Sequence, residues 1–254
     1  MSQKNTIIAI FVVFVAALLL SEGEPKEYAH WNYGEDEGPK EWASLDERYH
    51  MCADGVIQSP INITNSIDAN LSPLLLQGEA KASTFVNNGH TVQVNFNSGN
   101  YLTIDDSKYS LKQVHFHTPS ENQIDGKSYP MEAHFVHADS YNNLAVIGVM
   151  FEESNEDNIT LNKLLRNLPE LSEDGEKVSK EIKSVVEGYE MLPQSKDYYT
   201  FLGSLTTPPC SEGVRWVVLK DSVTISKSQL ADFQNAMPKN NRPIQETNSR
   251  YILD

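Results

Sequence analysis

Two short stretches are the most informative about the architecture of this chain: Gln113-Val114-His115-Phe116-His117 and Glu132-Ala133-His134-Phe135-Val136-His137. Polar and apolar side chains largely alternate along both, and this alternation predicts β-strands. The segments around them continue the pattern and are separated by the turn signals Asn87-Asn88-Gly89-His90 and Ser98-Gly99-Asn100. The chain from Thr84 to Val149 is therefore predicted to form successive strands of one sheet.

Over the chain as a whole, strands are predicted at 85–86, 91–96, 101–104, 112–117, 132–137, 144–151, 198–202 and 214–219. Two helices are predicted. One spans Ser172 to Gly188, where Val178, Ile182 and Val185 recur at helical spacing. The other opens at Ser226, whose spacing to Gln229 is that of a capping box. Many strands with few helices predict a mainly β single domain built on a large sheet.

The composition limits the function. The chain has 254 residues, of which 39% are hydrophobic, so disorder is excluded for most of it. Its 20 Lys+Arg against 35 Asp+Glu leave a net charge of −15. A surface this negative repels phosphate backbones, so no nucleic-acid partner is expected, whereas a neutral small-molecule substrate is compatible with it.

The N-terminus has the pattern of an export signal. Lys4 precedes 14 apolar residues from Ile7 to Leu20, which would span about 21 Å as a helix, less than a bilayer core. We expect a signal peptide over residues 1–23 and a mature domain over 24–254, exported to the periplasm or secreted, without stable membrane insertion. An uncleaved anchor is the alternative, because no A-x-A-like site is present.

The chain has two cysteines, Cys52 and Cys210, both in the expected mature part. In an oxidising compartment an isolated pair favours a disulfide, which would stabilise the fold by about 5 kcal/mol through loop closure. Thiolate ligation of zinc competes with this interpretation, but the two residues lack the close spacing of such sites.

Four histidines in the two decisive stretches point to a metal site. Residues two apart share a face of a strand, so His115 and His117 point the same way, whereas His137 points away from His134. If the strands pair with His134 beside the other two, three imidazoles converge, and three neutral imidazoles suit a catalytic Zn²⁺ with one open position. Gln113 and Glu132 each precede a ligand by two residues and could accept from its other ring nitrogen.

Two other interpretations use the same residues. A lone His-x-His on a strand is often ordinary core or surface histidine. The run from His115 to Glu121 also has the H-x-H-x₃-E spacing of a cupin metal site, but Tyr109 stands where cupins have glycine.

The ordered motifs resemble those of the α-class carbonic anhydrases, specifically the secreted bacterial type, over nearly all of the expected mature region. Besides the two histidine stretches, they are His30-Trp31-Asn32-Tyr33-Gly34, Gly38-Pro39, Trp42, Gln58-Ser59-Pro60-Ile61-Asn62, Asn87-Asn88-Gly89-His90, Leu205-Thr206-Thr207-Pro208-Pro209-Cys210 and Arg242-Pro243-Ile244-Gln245. The resemblance implies a mainly β (α+β) fold: one domain around a large, mostly antiparallel twisted central sheet with short peripheral helices.

The resemblance also implies an activity, the zinc-dependent reversible hydration of CO₂ to bicarbonate and a proton. Zn²⁺ would be bound by His115, His117 and His134, and its bound hydroxide would attack CO₂. In carbonic anhydrases, which are the standard example of this chemistry, the bound water has a pKa of about 7. Thr206 would accept a hydrogen bond from the hydroxide and donate one to Glu121.

Further roles follow from the same resemblance. Thr207 would lie beside bicarbonate, and an apolar wall would hold CO₂, formed by Val136, Val146, Leu205, Val214 and Trp216. His90 would carry the proton away along a water path lined by Tyr33, Asn88 and Asn87. Plain core packing is the alternative for the wall, and an ordinary loop position is the alternative for His90.

The chain departs from many animal members at two positions, Thr118 and Asn122, which puts the packing around Glu121 in doubt. Cysteines placed like Cys52 and Cys210 are disulfide-bonded in extracellular members. Secreted bacterial members are often dimers, so a homodimer is compatible with the resemblance. The competing function is a metal-free binding domain, but relatives of that kind lack one or more ligand histidines, and this chain has all three.

Overall fold

The structure is a computed structural model that describes residues 27–171 and 177–254. The expected signal peptide, residues 1–23, lies outside the described residues. Among the residues described, no helix is both long enough and apolar enough to cross a bilayer.

Strands dominate the described chain. They are β1 (Asn62–Ile63), β2 (Leu75–Gln77), β3 (Ala82–Asn87), β4 (Val92–Phe96), β5 (Tyr101–Ile104), β6 (Ser107–His117), β7 (Gln123–Ile124), β8 (Met131–Ala138), β9 (Leu144–Ser154), β10 (Val178–Glu181), β11 (Tyr198–Ser204), β12 (Glu212–Leu219) and β13 (Val223–Ser226). The helices are α1 (Trp42–Leu45), α2 (Met51–Asp54), α3 (Ile159–Leu165) and α4 (Lys227–Ala236), with a 3₁₀ turn at Glu47–Tyr49. Every predicted strand is present, several of them longer than predicted.

One sheet of eleven strands, counted over the described residues, organises the molecule. Its main order is β10-β3-β4-β6-β8-β9-β12-β11, and β5 also pairs with β6 and carries β2. Neighbours are antiparallel except where β12 and β13 run parallel to β9. The predicted mainly β, single-domain fold with a mostly antiparallel sheet is confirmed.

The sheet has a hydrophobic cluster on each face. The larger contains Val114, Phe116 and Phe135, and α4 adds Phe233 to it. The smaller is formed mainly by side chains of β9, β11 and β12, and on β9 its residues alternate with those of the larger cluster; its buried members are Ile61, Ile63, Val146, Met150, Phe201, Val214, Trp216, Val218 and Ile252. Because the strand period is two, the predicted zinc ligands share the face of the smaller cluster.

The predicted helix from Ser172 to Gly188 is wrong in its described part. Residues Val178–Glu181 form β10, which pairs antiparallel with β3. The edge of β3 offers unpaired backbone groups, and pairing with them overrides a weak helical periodicity. Val185, predicted on the apolar helix face, is 52% exposed.

The predicted helix at Ser226 is confirmed as α4. Ser226 accepts from the backbone N–H of Gln229, and the Gln229 side chain bonds back to the Ser226 backbone, completing the capping box. Leu230 and Phe233 are buried on one face of this helix. The helix end leads directly into the segment that reaches the site.

Candidate metal centre

Strand register brings the three predicted ligands together. In the pairing of β6 with β8, His115 lies opposite His134, and His117 lies opposite Glu132. The ligand atoms of His115, His117 and His134 all lie within 4.8 Å of one another. His117 and His134 are each 1% exposed, whereas His115 is half-buried at the open side.

One nitrogen of each ring faces a polar group outside the cluster. His115 Nδ1 lies 2.9 Å from Gln113 Oε1, and His117 Nδ1 donates to the carbonyl oxygen of Asn240 at 2.7 Å. His134 Nε2 lies 3.0 Å from Glu132 Oε1. These partners leave Nε2 of the first two rings and Nδ1 of His134 for the centre of the cluster.

The cluster fits a metal cation. His117 Nε2 is buried and has no hydrogen-bond partner among the described residues, so the ring is held with a lone pair directed at no protein donor. Burial lowers the pKa of all three histidines, most strongly for His115 and His134. Neutral imidazoles are the form that binds metal, and three of them match Zn²⁺ with an open fourth position.

Glu132 is fixed by three donors of one loop. Its Oε2 accepts from the backbone N–H groups of Glu121 and Asn122 at 2.9 Å each, and its Oε1 accepts from the Asn122 side chain at 2.8 Å. Asn122 also accepts from the backbone N–H of Ile61 at 3.1 Å. The position that departs from the animal pattern therefore holds a fully buried amide that anchors the partner of His134.

Glu121 lies beside the metal cluster as a buried carboxyl group. Its Oε1 accepts from the backbone N–H of Arg242 at 2.8 Å, and its Oε2 lies 3.5 Å from His117 Nε2. Burial raises the pKa of Glu121 to about 8, against the lowering effect of hydrogen bonds from Arg242 and Thr206. A dication on the histidines would favour its ionised form.

The five predicted wall residues lie in one place. Val146, Val214 and Trp216 are buried members of the smaller cluster, and Val136 and Leu205 pack against it. Val146 pairs with Val136 on one side and with Trp216 on the other, so these side chains form a row across three strands. The Trp216 ring lies 4.8 Å from that of His134, which places the apolar row next to the metal cluster.

His90 lies in the turn between β3 and β4. Its ring stacks on Trp31 at 3.9 Å between centroids, and the His30 ring lies 6.1 Å away. Burial, and secondarily His30, lower the pKa of His90. Asn88 Oδ1 accepts from the backbone N–H groups of His90 and Thr91, which fixes the turn.

Two other residues were predicted on the water path. Tyr33 is half-buried, and its pKa is raised by burial and by the charge of Glu121, so its hydroxyl stays neutral. Asn87 is fully buried, and its amide donates to the carbonyl oxygens of Pro169 and Ala236. Its donors are therefore committed to the fold.

The two cysteines form a disulfide, with Cα atoms 5.0 Å apart. Arg242, a buried cation, donates to the carbonyl oxygen of Cys52 at 3.0 Å and to Gln58 Oε1 at 2.8 Å. Gln58 in turn donates to the carbonyl oxygen of Cys210 at 3.0 Å. The disulfide is thus linked to the loop that carries Thr206.

Sequence reasoning missed two residues of the site. Arg242 belongs to a motif that assigns it no role, and no local pattern marks Asn240. Asn240 is fully buried, although it lies in a polar stretch that reads as exposed. Its partner His117 is 123 positions away, so no local spacing could have indicated the contact.

Comparison with known proteins agrees with this geometry. Residues 37–254 match the model of the eukaryotic-type carbonic anhydrase family. A carbonic anhydrase of Klebsiella pneumoniae is 43% identical over 229 residues, covering 89% of this chain and 91% of the relative.

Two solved structures are similar throughout the domain. The α-carbonic anhydrase of Photobacterium profundum is 44% identical with a TM-score of 0.84, covering 89% of this chain and all of the other. That of Thermovibrio ammonificans, solved with the inhibitor sulfanilamide, is 41% identical with a TM-score of 0.85, covering 89% of this chain and 99% of the other. Since the family model covers most of the chain, and relatives above 40% identity match nearly their whole length, the chain belongs to the eukaryotic-type carbonic anhydrase family.

Proposed function

We propose that this protein is a zinc enzyme that reversibly hydrates CO₂ to bicarbonate and a proton. Hydration of CO₂ is the general activity of its family. The proposal rests on one observation above all. Three neutral imidazoles, each with its second nitrogen directed to a polar partner, converge beside an apolar row of side chains.

Zinc is the metal that best suits this ligand set. Imidazole nitrogens bind Zn²⁺ at about 2.0–2.1 Å and favour a tetrahedral arrangement. When bound, zinc supplies the Lewis acidity that turns water into a strong nucleophile near neutral pH. The chain contributes neutral ligands, so the full charge of the cation stays available for that purpose.

Thr206 orients the nucleophilic oxygen. We propose that its hydroxyl donates to Glu121, whose pKa this interaction lowers, so that its oxygen can only accept a further hydrogen bond. The attacking oxygen must then direct its proton at Thr206 and its lone pair at the substrate. Thr207, half-buried next to it, would contact bicarbonate.

The apolar row binds the substrate. CO₂ has no net dipole and gains little from donors, so it is best held by the methyl groups and indole of Val136, Val146 and Trp216. Leu205 and Val214 continue the same surface. The wall would also keep water away from the side of the histidine cluster that the substrate approaches.

His90 accepts the proton that each hydration cycle releases. An imidazole titrates near ambient pH, so it can take up a proton and pass it to buffer. Its half-buried position, stacked on Trp31, keeps it at the rim, where water can reach it. Tyr33 and Asn88 would line the path between this rim and the histidine cluster.

Export is part of the same proposal. We propose that residues 1–23 are a signal peptide, that residues 24–254 are the mature domain, and that this domain works in the periplasm or outside the cell. The Cys52–Cys210 disulfide supports this, because disulfides persist in oxidising compartments.

The test combines metal analysis with an activity assay on purified protein. We expect one zinc per chain, loss of CO₂ hydration after treatment with a strong chelator, and recovery when zinc is added. His115→Ala should lose both metal and activity. His50→Ala, which removes an exposed histidine, should behave like the wild type. Undiminished hydration by metal-free protein, or by His115→Ala, would refute the proposal.

A further inference from the structure

Both the backbone and the side chain of Asn240 form hydrogen bonds with the site. Its carbonyl oxygen accepts from His117, and its side chain bonds to three further backbone groups. Oδ1 accepts from the N–H of Thr118 at 2.9 Å. Nδ2 donates to the carbonyl oxygens of Phe116 at 2.9 Å and His90 at 3.0 Å.

These bonds use both donors of the amide. An asparagine side chain offers two N–H donors and one carbonyl oxygen, and here each has a backbone partner. The residue is 0% exposed, so water cannot replace a lost bond without a rearrangement. Aspartate has the same shape but no donor when ionised and a single O–H donor when protonated, and leucine has neither donor nor acceptor.

The partners belong to the two functional parts of the site. Phe116 and Thr118 flank the ligand His117 on the chain, so the amide fixes the strand end that carries this ligand. His90 lies on a different turn, and its carbonyl oxygen is held by the same nitrogen. The His90 turn is fixed from its other side by Asn88, which accepts from the His90 N–H at 3.0 Å.

We propose that the Asn240 side chain is a positioning residue that ties the proton-accepting turn at His90 to the metal ligand His117. The inference rests on the proposed function, since it assigns both parts a role in CO₂ hydration. One buried amide sets the position of the acceptor relative to the metal. Its loss should therefore weaken metal retention and proton export together.

The sharpest variant is Asn240→Asp, which keeps the acceptor for Thr118 and replaces the two N–H donors by an oxygen that carries at most one proton. Asn100→Asp is its matched control. Asn100 is also 0% exposed, and its amide bonds in the same way to one remote residue, accepting from the N–H of Ala80 at 3.0 Å and donating to its carbonyl oxygen at 2.7 Å. Both variants therefore bury a carboxyl group, but only one touches the site.

Two readouts are needed on zinc-loaded protein. The first is the rate of zinc release to a chromogenic chelator, which requires no activity. The second is CO₂ hydration in weak buffer, with and without added imidazole. We expect Asn240→Asp to release zinc about tenfold faster or more, because a shift of residue 240 weakens the hydrogen bond from His117 to its backbone carbonyl oxygen. Its turnover should fall in weak buffer and recover with imidazole.

The outcomes separate cleanly. Faster zinc release and an imidazole-sensitive loss in Asn240→Asp, with neither in Asn100→Asp, support the inference. Wild-type behaviour of Asn240→Asp, a change in only one readout, or equal changes in both variants would overturn it. If Asn240→Asp does not fold, Asn240→Ser takes its place under the same criteria, because its short hydroxyl cannot reach all three partners.

Failure of the proposed function can be distinguished from failure of the inference about Asn240. Wild-type protein that binds zinc but does not hydrate CO₂ would refute the proposed function. In that case the inference falls with it, whereas the zinc-release comparison would still show whether Asn240 holds His117. Active wild type with unaffected Asn240 variants would refute the inference alone.

Discussion

Mild acid should destabilise the protein through His137, which lies in β8 on the face opposite the metal ligands. The side chain is 0% exposed. Its Nδ1 lies 2.8 Å from the carbonyl oxygen of Phe135, which can only accept, so Nδ1 carries the proton. Its Nε2, 3.1 Å from the Tyr189 hydroxyl, accepts in turn. Burial lowers the pKa of His137 to about 4, so the folded protein holds this ring neutral.

The sign and size of the change in stability with pH follow from proton linkage. In the unfolded chain a histidine has its ordinary pKa of about 6.5, so between that pH and about 4 the unfolded state binds the additional proton. Stability therefore falls as the pH is lowered through this window. For a shift of this size, the loss between about pH 7 and pH 5 is about 2 kcal/mol.

The assay is urea unfolding of chelator-treated wild type and His137→Gln at both pH values. Glutamine keeps a donor and an acceptor but does not titrate. The free-energy cost of losing the native His137 contacts is therefore the same at both pH values. The three ligand histidines titrate in both proteins, and their contribution cancels in the difference. We expect the wild type to lose about 2 kcal/mol more than the variant on acidification. An equal loss of unfolding free energy in the two proteins would show that His137 does not cause the acid sensitivity.

Three further perturbations test other parts of the molecule. His90→Ala should lower turnover about tenfold or more in weak buffer and recover with imidazole; an unaltered rate would remove its role in proton export. Val146→Tyr should lower CO₂ turnover by about 10²-fold with zinc fully bound, because the ring occupies the substrate position; normal turnover at full occupancy would contradict the wall. Replacing Cys52 and Cys210 by serine should lower the free energy of unfolding by about 5 kcal/mol in urea, since the bridge closes a loop of 158 positions; an unchanged midpoint would rule out this contribution.

Local patterns were enough to predict the framework of the site. Alternation assigned β6 and β8, and the strand period placed His115, His117 and His134 on one face and His137 on the other. The observed pairing of His115 with His134 meets the condition on which the convergence of the three imidazoles depends. These predictions succeeded because the side-chain period of a strand is a property of a few consecutive residues.

Contacts between distant segments were beyond the same reasoning. The helical spacing around Val178 is weak, and only the position of β3 in space explains why that segment pairs as a strand. Arg242 is buried because its guanidinium meets groups of Cys52, Gln58 and Ser59, which lie far away on the chain. A burial that depends on such partners leaves no periodic trace in the sequence.

Both the local strand pattern and the contacts between distant segments are needed to explain the metal ligands. Strand alternation decides which face of the sheet each histidine occupies. Where other side chains cover that face, the histidine ring is buried whether or not it binds a metal. The fate of each buried ring then depends on its distant partners. His117 meets the Asn240 carbonyl with one nitrogen and keeps the other unpartnered, whereas both nitrogens of His137 are engaged, by Phe135 and Tyr189. A histidine with one nitrogen held and one free can bind a cation, and one with both engaged serves the fold, so the partners, more than the spacing, separate a ligand from a structural residue.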